Sequence, residues 1–115
     1  MEYSCHVRDV LLAQRERVLL ALVVDRPDFA PIFRDERAAL ARYNEDDPDG
    51  VVGELDVAAQ LMARLYAGLS SAQLSRPCIY SYPTPAERSL AWVGHHTLHE
   101  GRHHLQDLGR VLADS

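Results

Sequence analysis

Apolar residues recur at helical spacing over three long stretches. From Tyr3 to Val24 they fall at Val7, Val10, Leu11, Val18, Ala21 and Leu22, leaving Arg8, Arg15, Glu16 and Asp25 for a wet face. The pattern predicts a first helix over 3–24, closed by Arg26-Pro27, because the residue before a proline avoids the helical region. A loop over 28–31 and a short helix over 32–43 are expected next, then an acidic loop at Asn44-Glu45-Asp46-Asp47. Asp47-Pro48 reads as an N-cap followed by proline at the first helical position. Val51, Leu55, Ala58, Ala59, Met62, Leu65, Tyr66 and Leu69 then form one apolar face to about Leu69. The stretch 70–83 is irregular, with a turn near Ser71–Leu74 and an alternating, extended piece at Ile79-Tyr80-Ser81-Tyr82. Thr84-Pro85-Ala86-Glu87 reads as a capping box that starts a last helix over 85–113. Three long helices and one short one, with no convincing strand pair, predict an all-α up-down bundle, one domain over 1–115.

Charge narrows the function classes. With 17 acidic residues against 12 basic ones the net charge is −5, which argues against nucleic acid as a partner. The longest apolar run, Val18 to Val24, is far short of a membrane span, and no signal-peptide pattern opens the chain. A cytoplasmic protein without membrane partners is therefore expected. All the basic residues are Arg, a bias that suits a GC-rich bacterial genome. Cys5 and Cys78 form no CxxC and are expected as two free, buried thiols, so Cys5 is not read as a nucleophile. The anomaly is histidine: five of six lie between Ala91 and His104.

The last helix decides which of these face inward. Each residue turns the side chain by about 100°. With Leu98 at zero, the apolar arc runs from about 200° through Val93, Thr97, Leu108 and Leu105 to about 20° at Ala91. His104 falls at about 240°, inside that arc, and Glu100 at about 200°, on its margin. His99 and His103 fall at about 100° and 140°, beside Gln106 and Arg110. His95 is expected to be exposed.

Two motif readings overlap here. His99-Glu100-Gly101-Arg102-His103 matches HExxH, the zinc-protease helix. That short motif lies on the more polar face and lacks an evident third ligand. Alternatively Glu100 and His104, spaced i and i+4, reach one point on the inner face. Burying both is costly without a partner, and a divalent cation satisfies both. His6, the one histidine outside the cluster, lies on the flank of the first helix's apolar face and is the candidate third donor. Spacing alone leaves open that His6 and His104 are hydrogen-bonded interface residues with no metal.

The segment His6-Val7-Arg8-Asp9-Val10, taken with His99-Glu100-Gly101-Arg102-His103-His104-Leu105-Gln106-Asp107, resembles the DinB-like superfamily. This is the metal-binding helical fold shared with mycothiol-dependent maleylpyruvate isomerase. The resemblance covers most of the chain and implies metal ligands at His6, Glu100 and His104. It places Asp107 in the trailing position, where it would orient a ligand imidazole, and leaves His96 as an outer donor or substitute ligand. Family members carry a helix before the His-bearing one, and five residues precede His6 here. Either further chain precedes Met1 or a second subunit completes the bundle; a homodimer is expected.

Three side-chain ligands leave a position open on zinc or nickel, the catalytic arrangement. The cation then acidifies a bound water or deprotonates a bound thiol. The expected function is a metal-dependent enzyme, a transferase or isomerase using a low-molecular-weight thiol such as mycothiol on a small electrophile. The competing readings are a non-enzymatic metal-binding or interaction module and, third, a zinc metalloprotease through His99 and His103. Arg88 is expected in a surface salt bridge rather than at a substrate anion.

Overall fold

The computed structural model describes residues 2–99. The elements run α1 (Glu2–Val23), α2 (Arg34–Leu40), a 3-10 turn (Tyr43–Glu45), α3 (Pro48–Ala67), α4 (Ser71–Leu74), β1 (Pro77–Tyr80) and β2 (Ala86–Ser89). Residues 90–99 are helical (α5). The expected all-α bundle forms as a mostly helical fold, with one β-hairpin that the pattern did not predict. α3 starts as its sequence dictates, with the Asp47 carboxylate accepting from the Gly50 amide at 3.0 Å and Pro48 at the first position. α4 starts on a capping box between Ser70 and Gln73.

The start of the last helix differs from expectation. Thr84-Pro85-Ala86-Glu87 is not a capping box: Ala86 to Ser89 form β2, paired antiparallel with β1 from Pro77↔Ser89 to Tyr80↔Ala86. The partner strand captures backbone groups that a helix would otherwise use. Helix begins five residues later, capped by Ser89, whose hydroxyl accepts from the Trp92 amide at 3.1 Å. The hairpin also holds the loop after α1. Phe29 donates to the Ile79 carbonyl at 3.0 Å, and the Ile79 amide to Pro27 at 2.8 Å. Arg76 closes the end of α1, donating to the Ala21 carbonyl at 2.7 Å.

α1 and α3 run in the same direction. Cys5 packs near Val51, Val7 and Leu11 against Leu55, Ala58 and Met62, and Val18 and Ala21 in a cluster that Leu65 and Leu69 flank. α5 runs against α1, because Gln14 meets Thr97 while the later Val18 and Ala21 share a cluster with the earlier Leu90 and Val93. The expected wet face of α1 is corrected at Arg8. Its guanidinium is largely buried and bonds Asp9 at 3.0 Å, Glu54 at 3.1 Å and Asp46 at 3.5 Å. Among the described residues no helix is long and apolar enough to cross a membrane.

Candidate functional site

His6 is half-buried on α1, one turn before Val10 and two before Gln14. Glu100, His104 and Asp107 lie outside the described residues, as does His103 of the HExxH motif. His99 is exposed. Among the described residues no three His, Cys, Asp or Glu side chains stand together as a cation site.

Between α1 and α5 the structure places a polar layer that hydrophobic periodicity passes over. Gln14 is fully buried. Its amide nitrogen donates to the Tyr80 hydroxyl at 2.6 Å and to Thr97 at 3.1 Å, while its carbonyl accepts from Arg17 at 2.9 Å. Thr97 passes its own proton to the Val93 carbonyl at 2.7 Å. Every polar atom of the layer is thereby used, which makes its burial affordable in a low-dielectric interior. The signal for Gln14 was present in its i+4 and i+7 spacing from Val10 and Val7, but a polar side chain breaks the apolar count.

The buried face of α5 is centred on Leu90, Val93 and Thr97. Leu98, expected inside the apolar arc, is 53% exposed. The arc is thus narrower than the sequence suggested, at about 220° to 280°. His96 sits in an aromatic cluster: stacked on Trp92 with ring centres 4.8 Å apart, and edge-on to Tyr80 at 5.5 Å. Arg88 lies over the same indole, 4.4 Å from its centre, and forms no salt bridge among the described residues. His95 is exposed, as expected.

Two spaces adjoin these residues. One, of about 390 Å³, is almost wholly apolar and opens between α1, α3 and α5 beside Leu11, Met62, Tyr66, Gly94 and Leu98. The other, of about 300 Å³, lies beside Val10, Arg17, Arg34, Tyr80, Tyr82 and His96. Both cysteines are buried and free, as expected. Burial and a hydrogen bond from the Cys5 thiol to Asp46 push that thiol up to about 11, so it stays protonated near neutral pH. The Asp9 carboxylate is engaged by Arg8 and the Tyr43 hydroxyl.

No curated protein matches the chain. Its structure is similar to that of YfiT from Bacillus subtilis, described as a probable metal-dependent hydrolase with an unusual four-helix bundle topology. The TM-score is 0.73 at 20% sequence identity, over 97% of this chain and 65% of YfiT, a likeness of fold. The chain therefore spans less than two thirds of the solved structure that it matches. The model of the DinB superfamily matches residues 1–108, nearly the whole sequence. On that match, the chain belongs to the DinB superfamily.

Proposed function

We propose that the chain is one metal-binding bundle over 1–115 in which His6, Glu100 and His104 hold a divalent cation, zinc or nickel, for a metal-dependent reaction on a small molecule. The observation that carries this reading is the antiparallel register of α1 and α5 at Gln14–Thr97. Two turns back from Gln14 lies His6, and seven residues onward in sequence from Thr97 comes His104. Glu100 and His104 also follow Thr97 at three and seven residues, the spacing of one helix face, and Thr97 is buried against α1. Two imidazoles and a carboxylate are a donor set that suits zinc or nickel.

When bound, such a cation supplies an acidified nucleophile at neutral pH. The protein's own residues set its surroundings. The buried Gln14–Thr97–Tyr80 layer lies two turns along α1 from His6. We assign the nucleophile to a low-molecular-weight thiol; its sulfur forms the new bond to the electrophile, whose leaving group departs with the electron pair. Hydrolysis is the second reading, favoured by the likeness to YfiT. In both, Asp107 orients a ligand imidazole and His96 stands behind the site. A homodimer remains part of the proposal, with the open apolar space beside Leu98 as its motive.

Metal analysis of protein purified without a His tag tests the ligand set. About one equivalent of metal is expected, lost in His6→Ala, Glu100→Ala and His104→Ala and kept in His99→Ala. Metal content that survives Glu100→Ala and His104→Ala overturns it. Metal lost in His99→Ala but kept in His104→Ala would instead favour the protease motif. A thiol with 1-chloro-2,4-dinitrobenzene, which releases chloride, and p-nitrophenyl acetate, which is hydrolysed, then separate the two chemistries.

A further inference from the structure

The 300 Å³ pocket holds two cations and no acid among its described lining residues. This stands out in a chain of net charge −5. Arg17 is half-buried, and among the described residues its hydrogen-bond partners are uncharged: the Gln14 carbonyl at 2.9 Å, the Ala30 carbonyl and the Tyr80 hydroxyl. Its guanidinium also lies over the faces of Phe29 and Tyr80, 5.4 and 5.5 Å from their centres. Asp9, Glu16 and Asp28 line an adjoining cleft that Arg17 also lines, but Asp9 is paired with Arg8 and Glu16 with Arg15, and none forms an ion pair with Arg17 among the described residues. Burial disfavours the charged form of Arg17, and nearby Arg37 adds repulsion. Guanidinium stays charged all the same, so a half-buried one without a carboxylate is a cost that an incoming anion would offset. Arg34, also without an ion pair among the described residues, supplies a second positive group at the rim, over Tyr3 at 5.9 Å. The remaining wall is largely aromatic, with Tyr80, Tyr82, Phe33 and the His96 ring beside Ser81.

We propose that this pocket binds a small organic carboxylate with a flat, apolar body, the carboxylate on Arg17 and Arg34 and the body against Tyr80, Tyr82 and His96. Guanidinium presents paired donors that match a carboxylate, and aromatic faces hold an unsaturated ring or chain. The site is built from described residues alone and does not rest on the metal reading.

The probe is benzoate, with neutral benzamide and non-aromatic acetate as controls. Trp92 is the chain's one tryptophan and is stacked on His96, so its fluorescence reports occupancy. Saturable binding of benzoate is expected in both EDTA-dialysed and metal-loaded protein, with benzamide and acetate each about tenfold weaker or more. Raised salt weakens it. Arg17→Gln removes most of the binding. Arg34→Gln, on the exposed rim, weakens it without touching the fold and keeps the test intact should Arg17→Gln fail to fold. Benzamide binding as well as benzoate, acetate competing equally, or Arg34→Gln and a folded Arg17→Gln leaving affinity unchanged would each overturn the proposal. So would benzoate that binds only to the metal-loaded protein, since the cation would then be its partner. Loss of metal in His104→Ala with benzoate binding retained separates this site from the metal site.

Discussion

The two ends of the bundle are built differently from the same helices. At one end the second half of α1 meets the hairpin, the 27–29 loop and the start of α5, and Val18, Ala21, Cys78, Leu90 and Val93 are fully buried. At the other, Val7 and Leu11 of α1 meet Leu55, Ala58 and Met62 of α3, and a space of about 390 Å³ remains between them and α5. Among the described residues the first end has the β-ribbon as a further wall, and the second leaves a space between α1, α3 and α5. Packing stabilises by contact on all sides, so among the described residues the first end carries more stability per side chain than the side chains that border the space.

Truncation at each end gives the largest contrast. Leu90→Ala should cost about 4 kcal/mol and Leu55→Ala about 2 kcal/mol, because the atoms removed from Leu55 already border empty space. Urea unfolding of both variants checks this, and equal losses would break the comparison. Gly94 lies where the ends meet. A Cβ there would fall 2.6 Å from the Tyr66 ring, which is held by its hydroxyl bond to the Leu90 carbonyl at 2.7 Å. Gly94→Ala should therefore cost about 1–3 kcal/mol, and Tyr66→Leu in the same chain should return part of it in a double-mutant cycle. Enlarging an alanine sharpens the contrast further. Ala21→Leu at the first end should cost about 1–3 kcal/mol, whereas Ala59→Leu, beside the space, should be neutral within about 0.5 kcal/mol and reduce binding of an apolar dye.

The smallest effect is in alkaline solution. The Cys5 thiol is raised from 9.0 to about 11 and the Tyr43 hydroxyl from 10.0 to about 12, both chiefly by burial. The folded state holds these protons after the unfolded chain has released its own, so stability is flat below about pH 9 and falls from there towards pH 11. Urea midpoints measured across that range should decline in the wild type and decline less in Cys5→Ala.

Much of the fold was legible because local signals and burial agreed. Asp47-Pro48 caps α3 in the sequence and in the structure, and Val51, Leu55, Ala58 and Met62 are its buried stripe in both. Thr84-Pro85-Ala86-Glu87 misled because a capping box competes with a strand partner that sequence proximity does not reveal; the serine that caps α5, Ser89, stands inside the strand's last pair. Of the metal set, His6 was found on the half-buried flank of α1 where its spacing put it, and the other candidates lie beyond residue 99. Arg17 escaped notice because an arginine four residues past an alanine reads as surface; only the aromatic rings around it show otherwise.

Periodicity and caps by themselves determined where α1 and α3 run and which of their faces turn inward, since each is a matter of a few residues within one turn of another. Tertiary structure alone decided that Gln14 and Thr97 bond across two helices, that β2 delays α5, and that a space lies between α1, α3 and α5. The physical reason is range: a hydrogen-bond partner 83 residues away, or a strand that claims backbone groups from a would-be helix, exists only once the chain has folded back on itself.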